Sequence, residues 1–300
     1  MYRSCVMLLA VAASFACGQP AAAQVATPTP ELAADLFETV AQVPVTVPLL
    51  KGGTRSGNMI VTHFRPKGPG PFPLVVMSHG RAGDAAGRAK PERQRFMGVT
   101  RYWIARGFAV VVPTRLGYGA TGVEPDTEFS GKCEDKSYGS MAEGSSRQIR
   151  AAVTFAATLP FVDTQRIVLM GQSVGGLATT VATGKGIPGV VAAINFAGGS
   201  GGMPKVTPGK PCGPERLADI YRVAGRSAKA PMLWVYSEND QYWGAQIPRD
   251  WHKAYTGAGA KAEFVMLPPV GEDGHRAIDQ PAVWTPHVDR FIASIGLKQN

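Results

Sequence analysis

Short runs of apolar residues recur along this chain, separated by longer segments of mixed polarity. Several runs are unbroken stretches of Val, Ile, Leu and Met, a pattern typical of strands that are buried on both faces of a parallel sheet. The runs predict strands at residues 58–64, 74–78, 108–113, 167–170, 190–196, 232–236 and 262–267.

The segments between these runs predict helices at residues 92–105, 145–159, 174–183, 215–224, 245–255 and 282–295. In the last of them, Trp284, Val288 and Phe291 follow the helical period. Pro286 predicts that this helix begins near that residue, because proline fits the first turn of a helix but not its interior. The alternation of strands and helices predicts an α/β fold in one domain over residues 24–300, with helices on both faces of a mostly parallel central sheet.

Two loops are longer than the connections that a compact α/β unit needs, at residues 121–144 and 198–214. One contains Cys133 and the other Cys212. In an exported chain two such cysteines favour a disulfide, which would join the loops above the carboxyl edge of the sheet, where open α/β folds bind ligands. The alternative to the disulfide is two free thiols, and the alternative to a binding role is that either loop is merely disordered.

The first 23 residues have the pattern of a secretory signal peptide. Arg3 provides a positive start, residues 6–15 an apolar stretch, and three alanines a cleavage site after Ala23. The apolar stretch is about half the ~20 residues of a membrane-spanning helix, so no membrane span is expected. We therefore expect a periplasmic or secreted protein, with lipidation at Cys17 as the alternative.

Composition narrows the possible functions. Apolar residues make up 45% of the chain and charged residues 18%, a balance that excludes a disordered protein. The formal net charge is +9, but the basic residues are dispersed and are not interleaved with aromatic residues. This distribution favours a role in solubility and predicts no nucleic-acid partner.

Two pentapeptides match the G-x-S-x-G pattern of a nucleophile elbow, around Ser173 and around Ser200. Ser173 follows a predicted strand and precedes a segment able to start a helix, whereas prolines soon after Ser200 prevent one. Ser173 is therefore the predicted nucleophile. A G-x-G-x-x-G match at residues 117–122 precedes no helix-forming segment, so no dinucleotide site is predicted.

A serine nucleophile needs a base and an acid that orients the base. His275 is the predicted base, because among the five histidines only this one lies in a glycine-rich loop just after the last strand. Glu238 and Asp240 both qualify as the acid, and Asp240 is preferred because it lies deeper in its loop. Asp273 is a third candidate, expected instead to help form the turn that positions His275. The order serine, aspartate, histidine is that of an α/β-hydrolase.

An oxyanion hole must hold the negative charge that develops on the substrate carbonyl oxygen. The predicted donors are the backbone N–H groups of Arg81 and Val174. Tyr118 and Trp243 are the predicted substrate-binding residues, and the side chains of Arg81 or Arg115 could meet a substrate carboxylate.

Several motifs together resemble the α/β-hydrolase superfamily, and the chain is most similar to its dienelactone hydrolase-like branch. They are MSHGRAG at 77–83, PTRLGYGATG at 113–122, GQSVGG at 171–176, YSENDQYW at 236–243 and GEDGH at 271–275. The resemblance implies an α/β-hydrolase fold with Ser173, Asp240 and His275 as the catalytic triad. We therefore expect an exported serine hydrolase that cleaves a small-molecule carboxylic ester through an acyl-enzyme, without metal or cofactor. The cytoplasmic founders of that branch use a cysteine nucleophile, and the predicted signal peptide and the two cysteine-bearing loops are also unlike them. Both differences argue against the founders' lactone substrate here.

Other functions fit the same residues. A secreted lipase or polyester hydrolase and a prolyl-oligopeptidase-like peptidase would use the same triad. An inactive hydrolase fold that serves only for binding is the alternative from a different class, and failure of a fluorophosphonate probe to label Ser173 would favour it.

Overall fold

The structure is a computed structural model that describes Met1 and residues 31–297. Apart from Met1, the predicted signal peptide, its cleavage site and the candidate lipidation site lie outside these residues. The strands of the described part are β1 (Thr39–Pro48), β2 (Thr54–Phe64), β3 (Phe72–Ser78), β4 (Ala109–Thr114), β5 (Val162–Gln172), β6 (Val190–Phe196), β7 (Met232–Ser237) and β8 (Ala262–Leu267).

The strands form one sheet in the order β1-β2-β4-β3-β5-β6-β7-β8. β2 is antiparallel to both of its neighbours, and all the other pairs are parallel. Along β3, Leu74 and Val76 belong to the apolar cluster on one face, and Val75 and Met77 to the cluster on the other. This alternation explains the unbroken apolar run, because successive side chains of a strand point to opposite faces and both faces are covered.

The helices are α1 (Ala85–Ala89), α2 (Met97–Ile104), α3 (Gly139–Ala156), α4 (Val174–Thr183), α5 (Pro214–Gly225), α6 (Gln246–Thr256) and α7 (Pro281–Ser294). Helices α3, α4, α5 and α6 supply the apolar cluster on one face of the sheet, and α2 and α7 supply the cluster on the other. The predicted α/β-hydrolase fold, with helices on both faces of a mostly parallel sheet, is confirmed.

Strand β1 was not predicted from the sequence. Its buried residues Val43 and Val47 lie among more exposed ones. It also contains Pro44 and Pro48, and prolines are typical of irregular segments rather than of strands. Within residues 31–297, β1 is the outermost strand and pairs only with β2, so its prolines do not interrupt a hydrogen-bonded ladder on both sides.

Several predicted boundaries were wrong; the helix expected from residue 92, for example, begins at Met97. Helix α7 begins at Pro281, and Pro286 lies inside it. The buried side chains of Trp284 and Val288 pack against the sheet on either side of Pro286, and their burial offsets the hydrogen bond that proline cannot make. The loop expected to run to residue 144 ends earlier, because α3 already begins at Gly139. Among the described residues, no helix is long and apolar enough to cross a membrane.

Candidate active site

Ser173 occupies the tight turn between β5 and α4. Its φ is +57° and its ψ is −124°, an unfavourable backbone conformation for a residue other than glycine. A side chain at Gly171 or at Gly175 would collide with backbone, since a Cβ there would lie 2.2 Å from Gly175 O or 2.1 Å from Ser78 O. The glycines on either side of Ser173 therefore allow β5 and α4 to approach closely enough to hold this turn.

His275 lies in the 3₁₀ turn Gly274–Asp279, after β8. Its Nδ1 is 3.0 Å from Asp240 Oδ2. The other oxygen of Asp240 accepts hydrogen bonds from the backbone N–H groups of Tyr242 and Trp243, at 2.7 and 3.0 Å. Because a carboxylate can only accept, the imidazole proton is on Nδ1, which leaves the lone pair of Nε2 free to take a proton.

The other candidate acids have different positions. Glu238 is exposed, whereas Asp240 is only 2% exposed. Asp273 accepts hydrogen bonds from the backbone N–H groups of His275 and Gln241, each at 3.0 Å. Asp273 thus ties the turn of His275 to the loop of Asp240, as the sequence suggested.

Two aromatic rings enclose the imidazole. Tyr242 stacks on His275 with 4.0 Å between ring centroids, and the ring of Trp243 approaches at 5.3 Å in an edge arrangement. Trp243 is itself fixed by a 2.8 Å hydrogen bond from Nε1 to the carbonyl of Ala197. Because these contacts pack against the imidazole of His275, the ring can turn little without breaking them.

Two cavities flank Ser173. The imidazole cavity, about 370 Å³, contains His275, Tyr118 and Gln172 in its wall. The loop-side cavity, about 340 Å³, is lined by Val174, by Trp243 and by residues 200–206. Both cavities also include Arg81, Ser173 and Tyr242, which therefore mark the boundary between them. Such a pair of cavities provides one space on each side of a reacting group bound at the serine.

Ser173 and His275 share the wall of the imidazole cavity, yet no hydrogen bond joins their side chains within residues 31–297. Contacts of this kind are often long in ligand-free enzymes and shorten when substrate binds. The predicted oxyanion donors both lie beside Ser173, since Arg81 and Val174 line the loop-side cavity with it. Their catalytic roles, and that of the triad, remain predictions.

Of the predicted substrate-binding residues, Tyr118 is 2% exposed and donates a hydrogen bond from its hydroxyl to Glu128. Its ring packs edge-on against His79 at 4.5 Å. Arg115 is completely buried and its guanidinium is paired with Glu128 at 2.6 Å, so the suggestion that it meets a substrate carboxylate was wrong. The Arg81 side chain pairs with Asp126 at 2.6 Å.

The two long loops are joined as predicted. Cys133 and Cys212 form a disulfide, with their Cα atoms 5.1 Å apart. The hydroxyl of Tyr138 and the backbone N–H of Cys212 add hydrogen bonds, to the carbonyls of Cys212 and Gly201. Gly201 lines the loop-side cavity, so the disulfide fastens one wall of the candidate site.

Sequence reasoning missed Glu128 and Gln172. Glu128 is an acid in the middle of a loop, and nothing in its neighbourhood along the chain distinguishes it from a surface residue. The amide of Gln172 is 3.3 Å from the carbonyl of His275 and links the two turns that carry the serine and the imidazole. Its place next to Ser173 was the only signal for it.

Known proteins resemble this chain in sequence pattern and in fold. The model of the dienelactone hydrolase family matches residues 59–272. No curated protein matches the sequence significantly.

Among solved structures, a protein classed as a dienelactone hydrolase from Klebsiella pneumoniae is 20% identical, with a TM-score of 0.54 over 86% of this chain and 98% of its own. Acetyl xylan esterase from Paenibacillus sp. R4 is 18% identical, with a TM-score of 0.52 over 86% and 89%. Acylaminoacyl peptidase from Pyrococcus horikoshii is 14% identical, with a TM-score of 0.58 over 87% of this chain but only 42% of the peptidase. At these identities the likeness establishes the fold.

Proposed function

The chain belongs to the dienelactone hydrolase family, and from this premise we propose that it is an exported serine hydrolase that cleaves carboxylic esters through an acyl-enzyme. The observation that carries the proposal is the 3.0 Å hydrogen bond between Asp240 and the Nδ1 of His275, whose ring lines a cavity together with Ser173. A buried carboxylate, an imidazole and a serine on a strained turn are the groups that acyl transfer needs.

In the first half of the reaction, Nε2 of His275 takes the proton of the Ser173 hydroxyl while Oγ attacks the ester carbonyl carbon. The carbonyl oxygen becomes an oxyanion, which accepts hydrogen bonds from the N–H groups of Arg81 and Val174. Asp240 holds the imidazole in its Nδ1–H tautomer and stabilises the imidazolium. The imidazolium then protonates the leaving alcohol, and the acyl-enzyme remains.

In the second half, water replaces the alcohol. His275 takes a proton from the water as its oxygen attacks the acyl-enzyme carbonyl, and the same N–H groups hold the second oxyanion. The proton then returns to Ser173 Oγ as the carbon–oxygen bond breaks, which releases the carboxylic acid.

The size of the two cavities favours small esters. Volumes of about 370 and 340 Å³ on either side of Ser173 fit a compact acyl group and a compact alcohol. A polymer or a long peptide needs a long open cleft, whereas the loop of residues 200–206 forms a wall on one side of Ser173. A lipase, a polyester hydrolase and a peptidase are therefore less well supported.

The direct test is hydrolysis of p-nitrophenyl acetate by Ser173→Ala. We expect the rate to fall by a factor of about 10⁴ or more, because only the oxyanion hole and binding would remain. A fluorophosphonate probe should label the parent protein and Ser200→Ala but not Ser173→Ala. If Ser173→Ala keeps the parent rate, or if the folded parent is not labelled, the proposal is wrong.

Export is the second part of the proposal. The Cys133–Cys212 disulfide supports it, because such bonds persist in oxidising compartments. Sequencing the N-terminus of the mature protein recovered from the periplasm or medium should give Gln24 as the first residue. An intact N-terminus on protein retained in the cytoplasm would contradict export without affecting the proposed chemistry.

A further inference from the structure

The carbonyl of Gly80, in the loop after β3, is held from two directions. The Nδ1 of His79 lies 2.7 Å from Gly80 O, and Nη2 of Arg115 lies 3.3 Å from it. The same guanidinium donates through Nη1 to the carbonyl of His79 at 2.7 Å and to Ser78 Oγ at 2.9 Å. The path of the backbone from residue 78 to residue 80 is therefore fixed by one buried cation.

The protonation of His79 follows from its partners. Its Nε2 is 3.1 Å from the backbone N–H of Arg115, which can only donate, so Nε2 is the acceptor. The ring proton is then on Nδ1, which donates to the carbonyl of Gly80. Burial, together with the positive charge of Arg115, holds the pKa of His79 well below its ordinary value, so the ring stays neutral.

The position of this carbonyl sets the direction of the next N–H group. The Gly80–Arg81 peptide bond is trans, and in a trans peptide the C=O and N–H groups point in opposite directions. The carbonyl points to His79 and Arg115, so the N–H of Arg81 points away from them. Gly80 itself lies against the nucleophile, since a Cβ there would be 3.2 Å from Ser173 Cβ.

Arg115 is in turn held by Glu128. Arg115 is wholly buried, and its Nε donates to Glu128 at 2.6 Å. Ser145 on α3 donates to the same carboxylate oxygen at 3.0 Å, and Tyr118 donates to the other. Burial alone would raise the pKa of Glu128, but the charge of Arg115 and the hydrogen bonds outweigh it and lower the pKa. The carboxylate therefore stays ionised as the partner of the guanidinium.

From this geometry we infer that Arg115 and His79 are positioning residues of the reaction: they hold the Gly80–Arg81 peptide with its carbonyl inward, so that the N–H of Arg81 faces the oxyanion. Arg115 lines neither cavity beside Ser173, and His79, which borders the imidazole cavity, acts through the peptide that it holds. The inference rests on the proposed function, since it requires that an oxyanion forms beside Ser173.

The test compares an ester with the thionoester of the same acyl group and alcohol, in which sulfur replaces the carbonyl oxygen. Sulfur is larger and a weaker acceptor than oxygen, so a thionoester gains little from an oxyanion hole. The ratio of kcat/KM for the ester to that for the thionoester therefore reports the alignment of the donors. A change that only lowers the amount of folded enzyme leaves this ratio unchanged.

His79→Asn and His79→Gln form a matched pair of variants. The amide nitrogen of Asn occupies nearly the place of Nδ1 and can still donate to Gly80 O, whereas the longer Gln reaches the place of Nε2 and leaves that carbonyl without its donor. We expect His79→Gln and Arg115→Lys to lower the ester-to-thionoester ratio about tenfold, part of the 10²–10³ that loss of a whole donor costs. His79→Asn should stay within about threefold of the parent ratio.

Arg106→Lys is the control for a weakened ion pair. Arg106 pairs with Asp289 through Nε and Nη2, at 2.8 and 2.9 Å, and lines neither cavity. It should lose stability but keep the parent ratio. Equal ratios in the parent, His79→Gln and His79→Asn would overturn the inference while leaving the proposed function intact, even if Arg115→Lys does not fold. A parent that hydrolyses neither ester, or a Ser173→Ala variant as active as the parent, would overturn both.

Discussion

The acid–base half of the candidate site, Asp240 and His275, and its oxyanion half, the Gly80–Arg81 peptide, are held by different kinds of contact. Asp240 accepts hydrogen bonds from N–H groups two and three residues further along the chain, and Asp273 accepts one from the N–H of His275, two residues away. The carbonyl of Gly80 is instead held by side chains, those of the adjacent His79 and of Arg115, which is 35 residues away.

The two halves of the site are therefore oriented in two different ways. In the acid–base half, short turns supply the backbone N–H groups that orient Asp240 and position His275, and the two turns contact each other directly. The oxyanion half depends on a buried ion pair, Arg115 with Glu128, and Glu128 lies in the long loop that Cys133 anchors. Damage to that loop should therefore weaken the oxyanion half first.

The largest effect is expected for Asp240→Asn, which removes the acceptor of the acid–base half. The asparagine amide favours the wrong tautomer of His275, so we expect kcat for p-nitrophenyl acetate to fall by about 10⁴. Glu238→Gln, at the exposed alternative acid, is the matched control and should keep the parent rate. Equal rates for Asp240→Asn and the parent would show that the hydrogen bond between Asp240 and His275 does not serve the reaction.

The next largest effect is a loss of stability on removal of the Cys133–Cys212 disulfide, which anchors the loop that carries Glu128. Replacing both Cys133 and Cys212 by serine removes a link between residues 79 positions apart, which is expected to lower the free energy of unfolding by about 4–5 kcal/mol. Urea unfolding with and without dithiothreitol measures this effect, because reductant should destabilise the parent and leave the double variant unchanged. The prediction is wrong if dithiothreitol reduces the two cysteines of the parent but leaves its free energy of unfolding unchanged.

A somewhat smaller effect, about 3–5 kcal/mol, is expected for Glu128→Gln, which leaves the guanidinium of Arg115 buried without its counter-charge. The effect should depend on pH. The pKa of Glu128 is lowered on folding, so its contribution is complete above the ordinary value of 4.5 and is lost as the pH falls through the lower folded value. Urea midpoints of parent and variant should therefore be far apart at pH 7 and converge in acid. A gap that is the same at pH 7 and at pH 3 would rule out the charge as its cause.

The same contrast explains what the sequence could predict. The turn at Ser173 and the loops of Asp240 and His275 follow predicted strands and contain glycines, so their chemistry and their meeting at one sheet edge could be inferred from the order of the motifs. The structure brings Asp240 and His275 into contact at that edge. The catalytic roles themselves await the experiments above.

The residues that sequence reasoning missed are those whose environment is made by distant parts of the chain. Glu128 is 1% exposed only because α3, β4 and the loop that contains it close around one carboxylate. Arg115 is buried by the same distant segments. Its burial therefore could not be predicted from the sequence, which suggested instead that the residue could meet a substrate. Pro286 led to a wrong helix start for a similar reason, since side-chain packing outweighs a local cost of about 3 kcal/mol for proline inside a helix.

The prolines of β1 have a consequence for how molecules of this protein meet one another. β1 is an edge strand, and Pro44 and Pro48 are separated by an even number of residues, so their nitrogens face the same side. We expect that side to be the one turned away from β2, because a proline nitrogen that faced β2 would leave a ladder bond unmade. An approaching strand from another molecule would find only the N–H of Thr46 between two positions that cannot donate. Within the part of the chain that the structure describes, the edge from Pro44 to Pro48 is thus a poor template for intermolecular strand addition, which disfavours fibril-like stacking there.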